Sequence, residues 1–365
     1  MTMTSVHNSR EIAAPQLAAL FCVFFLIACG LGYPVLNRYD PRQTPGLSDV
    51  KTYAELEAGS TVVDAEDMRF RRFRVLVPWI ARPFYAIARG RVASWDPAMF
   101  GLLVADSIFV AMTAVLILTI GWRMLGNAAA GLVGALLYMV NFAVPNLRLA
   151  GLVDAGEGFF LLALLWSLSE RKLWLLPAIA VLGALTKESF IPFSIVITFA
   201  WWLATRSDHP KGEKNRYRSS RDAAWVLASW ALSVAAMIVL HRTITGNYVS
   251  PLQFGSTLQR GGGQHFAVSL RDRNLWYIFL WLLPTAIPSL KRFPRSWLIP
   301  TAAACIMAFF LDAYFGGTPA AGSAWGRALF SIAGPVLSLS SALTLLRISG
   351  RQQKSIGFNG SQVSG

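Results

Sequence analysis

Apolar runs of roughly twenty residues recur along almost the whole chain, and that is the length an α-helix needs to cross a hydrocarbon core of about 30 Å. Nothing between the runs is long enough for a second, water-soluble domain of ordinary size. Of the 365 residues, 55% are hydrophobic and only 14% are charged, whereas a soluble domain carries roughly a quarter charged residues. Runs of this length call for helices, since a barrel strand needs only about ten alternating residues. The expected fold is all-α: a polytopic transmembrane helical bundle with about ten spans. It forms a single domain over residues 1–349, and a polar, flexible cytoplasmic tail follows over 350–365.

The expected spans are Ala14–Leu36, Ala98–Ile120, Asn127–Pro145 and Gly151–Leu168. The run Leu173–Ala204 follows, then Ala223–His241, Leu275–Leu290, Trp297–Phe315 and Ala328–Leu346. As one helix, Leu173–Ala204 would be roughly 48 Å long, with Lys187 and Glu188 in mid-membrane. We read it as two short spans meeting at Thr186-Lys187-Glu188-Ser189. The first of these reaches only about 20 Å, so the charged turn lies below the outer surface. Backbone of that kind is tolerated only against protein or a water-filled cavity.

The net charge of +14 belongs to the membrane reading, because Lys and Arg gather in loops that stay cytoplasmic. No folded basic face is available for nucleic acid. With both termini in the cytoplasm, the inner loops carry Arg10, Arg123, Arg171, Lys172 and the basic run from Arg206 to Arg221. They also carry Lys291, Arg292, Arg295, Arg347, Arg351 and Lys354. The basic cytoplasmic loop is 205–222, and the outer loops are 37–97 and 242–273, the latter with a mobile Gly261-Gly262-Gly263. Leu26-Ile27-Ala28-Cys29-Gly30 resembles a lipoprotein cleavage box. The weakly charged start and the many later spans favour an uncleaved signal anchor in the plasma (inner) membrane.

In this topology the intramembrane charges collect on the outer side. Asp106 lies in the second span, Asp154 and Glu157 start the fourth, and Lys187 and Glu188 form the turn. Asp312 closes the ninth span and Arg327 opens the tenth. Such groups are expensive and face a cavity or a partner. Asp154 and Glu157, three apart, share a helix face. Taken singly, Asp106 reads equally well as a packing residue, and Asp312 and Arg327 as interfacial anchors. Their common side favours an outward polar cavity beneath the first loop.

That loop has its own pattern. Asp49 and Tyr53, four apart, share a face if helical, and Arg69, Arg71, Arg72 and Arg74 cluster after them. Val75–Ala88 is apolar but too short to span, so it reads as a helix lying in the interface. The arginines suit anionic headgroups, or a lipid-borne phosphate that matches their planar donor fork. The three cysteines (Cys22, Cys29, Cys305) give no disulfide or metal-ligand spacing, and the four histidines are scattered, with His241 at the outer end of its span. There is no phosphate-binding Gly-rich loop with Lys and no Asp-x-Asp pair.

Four short stretches resemble the GT-C membrane glycosyltransferases, which use polyprenyl-phosphate sugars. They are Ser48-Asp49-x-x-x-Tyr53, Arg72-Phe73-Arg74-Val75-Leu76-Val77-Pro78, Leu185-Thr186-Lys187-Glu188-Ser189 and Gly326-Arg327-Ala328-Leu329. The resemblance implies that Asp49 is the catalytic acidic residue of the first outer loop. Lys187, Arg327 and Arg72 or Arg74 would hold the lipid phosphate, and Tyr53, Asp154, Glu157 and Glu188 would line the substrate site. The implied partners are a polyprenyl-phosphate-linked sugar donor, a lipid or glycan acceptor and membrane lipids, in cell-envelope synthesis. No cofactor is predicted. Because Val50 follows Asp49 where some members have a second acid, need for a divalent metal stays open. A transporter or flippase of a lipid-linked sugar would use the same cavity without a base, and a non-catalytic envelope-assembly scaffold would keep the residues without the chemistry. No paired internal repeat of the transporter kind is visible.

Overall fold

The computed structural model describes residues 13–38, 48–59, 71–91, 94–207, 220–246, 267, 269–315 and 325–360. Arg69, most of the basic 205–222 loop and the Gly261–Gly263 stretch lie outside the described residues, as does the side chain of Asp312.

Among the described residues every regular element is helical. The order is α1 (Ala14–Gly32), α2 (Val35–Arg38), α3 (Ser48–Glu57), a 3-10 turn at Arg71–Phe73, α4 (Leu76–Ala88), α5 (Pro97–Leu125) and α6 (Ala128–Val140). A π turn at Val144–Arg148 leads into α7 (Asp154–Ser169), α8 (Leu176–Thr186), α9 (Phe190–Ser207) and α10 (Ser220–Thr245). The chain then makes α11 (Arg273–Phe279), α12 (Leu282–Leu290), α13 (Arg295–Phe315) and α14 (Trp325–Gly360). Four helices are long and apolar enough to cross a membrane: Ala14–Gly32, Pro97–Leu125, Arg221–Ile244 and Trp325–Gly350. Shorter apolar helices cover Ala128–Val140, Leu173–Thr186, Phe190–Thr205 and Arg295–Leu311.

Local chemistry explains the boundaries. Asp96 caps α5 by accepting from the Ala98 amide at 2.8 Å, Pro97 follows in the first turn, and Gly126 closes the helix at φ 63°. Between α8 and α9 the backbone of Lys187 is extended. Pro192 lies in the first turn of α9, where its missing N–H costs nothing. In an unbroken helix its ring would collide with the Glu188 carbonyl. The same rule applies to Leu275–Leu290, expected as one span. It is divided at Leu280–Trp281, four and three residues before Pro284. The tail expected to be flexible from residue 350 is helical to Gly360. Extending an existing helix avoids the nucleation cost, so polar composition alone does not end it.

Helix α5 sits at the centre, packed by α1, α4, α6 and α7, and α14 packs on α6, α7, α12 and α13. A Cβ at Gly121 of α5 would collide with the Gly131 backbone of α6. Small residues let helices approach closely where apolar burial alone gives little drive. Hydroxyls join α12 to α14: Ser340 donates to the Ala286 carbonyl at 2.6 Å, and Ser289 and Thr344 lie 2.7 Å apart. Large apolar side chains remain exposed on α1 (Val23, Leu26), α9 (Phe199, Leu203), α10 (Leu227, Leu232, Val239) and α13 (Ile306, Phe310). Exposed apolar surface on this scale marks contact with lipid or protein.

Candidate functional site

Helix α3 brings Asp49 and Tyr53 to one side, facing the 3-10 turn that carries the arginines. Asp49 pairs with Arg71 at 2.8 Å. Tyr53 is buried, and its hydroxyl accepts from Arg74 Nη1 at 2.9 Å. Arg74 also reaches Glu188 with both arms of its fork, Nε to Oε2 at 2.8 Å and Nη2 to Oε1. This two-pronged geometry is particular to arginine. Burial pushes the Tyr53 hydroxyl above its ordinary range, against the pull of Arg74. Burial works against the charge of Arg74, but Glu188 and then Tyr53 outweigh it and hold its pKa well above the usual value.

One residue back from Glu188, Lys187 turns to the opposite side. Its Nζ donates to Asp154 Oδ1 at 2.8 Å and to Glu157 Oε2 at 2.9 Å. Ser189 donates to the other oxygen of Glu157. Asp154 and Glu157 lie in the first turn of α7, where the unpaired amides also favour negative charge. Arg327, near the start of α14, approaches Asp154 Oδ2 at 3.4 Å, the longest contact of the set. The break at Lys187–Ser189 is thus a hub: Glu188 faces the first-loop elements, and Lys187 and Ser189 face α7.

Eight of the nine site residues named from sequence lie in these pairs. Arg72 is placed differently. Its guanidinium lies over the ring of Phe73 at 5.4 Å, and that ring stacks on His241 of α10 at 4.3 Å. Of the two arginines left open by the sequence, it is Arg74 that turns into the cluster. The spacing explains this, since residues 72 and 74 fall on different sides of a tight turn.

Three buried residues near the cluster were not singled out for the site by the sequence. Arg148, at the end of the π turn, donates to the Asp154 carbonyl at 2.7 Å and to Ser331 Oγ at 2.8 Å. Ser331 lies one turn beyond Arg327. Glu57, at the end of α3, is buried with neither oxygen hydrogen-bonded. A cue did exist for both. Arg148 interrupts an apolar stretch, and Glu57 continues the four-residue spacing of Asp49 and Tyr53. Asp106 of α5 is wholly buried; the Gly151 amide, Arg148 and Asp154 all act on it. Among the described residues, no group of three or more His, Cys, Asp or Glu side chains is placed to hold a metal ion.

The arrangement offers carboxylates and cations in one connected, largely buried set, with Asp49 and Arg327 toward its more exposed margin (side chains 21% and 27% exposed). Such a set can grip an anionic group and hold a proton acceptor beside it. No protein-family model matches the chain, and no curated protein matches its sequence.

Proposed function

We propose that the chain is a membrane glycosyltransferase of the GT-C type, moving a sugar from a polyprenyl-phosphate donor to a lipid or glycan acceptor at the outer face of the plasma membrane. One observation carries the reading. Stretches far apart in sequence, around Asp49, Arg74, Lys187 and Arg327, converge on one ionic cluster. Ionisable groups gathered inside an apolar bundle are expensive and mark a substrate path or site.

In this reading α1, α5, α6, α7, α8, α9, α10, the α11–α12 pair, α13 and α14 are the membrane-crossing segments, about ten in all. Both termini are cytoplasmic, and α4 lies in the outer interface. The acceptor hydroxyl attacks the anomeric carbon as the bond from that carbon to the phosphate oxygen breaks. The bonding pair leaves with the phosphate, and the hydroxyl proton passes to Asp49 as general base. Charge develops in an oxocarbenium-like sugar and on the departing phosphate, and a cation beside the phosphate offsets it. Arg327 suits that task, being held by a single long contact and partly exposed. Lys187 is committed to two buried carboxylates and serves the frame instead. A single displacement of this kind inverts the anomeric centre.

The test is transfer of labelled sugar from polyprenyl-phosphate donors by membranes holding only this protein. Asp49→Asn should lower turnover by roughly 10²–10⁴-fold while donor binding survives. Near-normal transfer by that variant would remove Asp49 from the chemistry. Absence of transfer by the wild type with every donor, alongside donor movement across the bilayer, would establish the flippase reading instead.

A further inference from the structure

We propose that Arg148 is a positioning residue: it ties the start of α7 to the turn of α14 that carries Arg327, and so fixes Arg327 opposite Asp154. The tie stands on geometry alone; its service to phosphate binding rests on the transferase reading.

Arg148 is 2% exposed, an expensive place for a cation. None of its direct contacts among the described residues is a carboxylate. One arm of the guanidinium donates to the Asp154 backbone carbonyl at 2.7 Å, and the other to Ser331 Oγ at 2.8 Å. The Ser331 hydroxyl in turn donates to the Arg327 carbonyl at 3.1 Å. The guanidinium is therefore one bond from the backbone of Asp154 and one hydroxyl from the backbone of Arg327. These are the two partners of the long 3.4 Å contact.

The surroundings are built to admit the fork. Its Cζ lies 5.1 Å from the Phe330 ring centroid and 5.9 Å from that of Tyr138, and these rings stack on each other. On α7 the residue facing it is Gly158, where any Cβ would collide with Nη1. The charge of Arg148 also acts on the carboxylates of Asp154 and Asp106, which lowers the cost of burying it. Lysine would bring the charge but not two donors at fixed spacing, so it cannot hold both helices at once.

The experiment has two arms, both on the full chain in lipid nanodiscs. The first needs no ligand. Arg148→Lys and Ser331→Ala should each lower the unfolding midpoint by about 2–4 °C. The double variant should fall no further than Arg148→Lys alone, because both remove the same bond. Fully additive losses would overturn the tie. The second arm measures affinity for a polyprenyl phosphate without sugar. Arg148→Lys and Ser331→Ala should each weaken binding roughly tenfold, and Ser331→Thr, which keeps the hydroxyl, should restore it. In an Arg327→Ala background Arg148→Lys should cost nothing more. An equal loss in that background would show that Arg148 does not act through Arg327, and would overturn the positioning role. If Arg148→Lys does not fold, the serine variants, alone and with Arg327→Ala, decide both arms. If the wild type binds no polyprenyl phosphate, the transferase reading fails, and the first arm still decides the tie.

Discussion

Replacing Glu57 by Gln should change how the stability of the protein depends on pH, and the size of the change follows from where the carboxyl sits. Glu57 ends α3 and is 2% exposed, with no hydrogen-bond partner for either oxygen. It occupies the space beside Gly101 of α5, where a Cβ would collide with it, next to the Ala81 carbonyl of α4. Burial, helped by Asp96, pushes its pKa from 4.5 up to about 9. At neutral pH the folded protein therefore keeps this proton, whereas the unfolded chain loses it above about pH 4.5. The neutral form's contribution is full below that value. It declines as pH rises and is gone once pH passes the folded value. Each pH unit inside the window costs about 1.4 kcal/mol, so raising pH from about 5.5 to 7.5 should cost about 2–3 kcal/mol through this group alone. Gln keeps the shape, stays neutral and offers a donor toward the Ala81 carbonyl. Unfolding followed in nanodiscs across that range should show Glu57→Gln gaining about 2–3 kcal/mol on the wild type toward the alkaline end. Parallel curves for the two proteins would refute the placement of a neutral carboxyl beneath α3. The first-loop helix carrying Asp49 and Tyr53 would then need another anchor.

Three further outcomes are expected. Lys187→Met leaves Asp154 and Glu157 buried without their shared cation, and should destabilise the chain by about 3–5 kcal/mol; a chemical denaturation midpoint unchanged from the wild type would contradict the hub. Gly158→Ala crowds the Arg148 guanidinium and should cost about 1–3 kcal/mol, with Arg148→Met in the same chain relieving much of that loss. In a background free of Cys22, Cys29 and Cys305, a cysteine at Ala58 should react with an impermeant thiol reagent added outside whole cells, and one at Lys291 should not. The reverse pattern would overturn the proposed orientation.

Much of the architecture was legible in the residues. Apolar runs long enough for helices fix the all-helical class, because unpaired backbone amides and carbonyls have no partner in hydrocarbon. The two short helices meeting at Lys187 were legible as a length conflict, and Pro192 supplies the stereochemical cause. The division at Leu280–Trp281 was not foreseen. Hydropathy counts apolar residues and is blind to a proline that is itself apolar. Likewise, polar composition suggested a flexible end to a chain whose last helix runs to Gly360.

For the candidate site, the sequence supplied the membership, since a charge inside an apolar run is conspicuous by its cost. What it left undecided was pairing. Nothing in the string says that Arg74 rather than Arg72 reaches Glu188, or that Lys187 and Glu188, adjacent in the chain, serve different partners. Nor does it say that Arg148 spends its fork on a carbonyl and a hydroxyl. These choices depend on which helix faces come within hydrogen-bond reach, about 3 Å, across stretches more than a hundred residues apart. A side chain's position in the sequence sets its charge and reach. Only the packing of α3, α7 and α14 around the broken α8–α9 pair sets what lies within that reach.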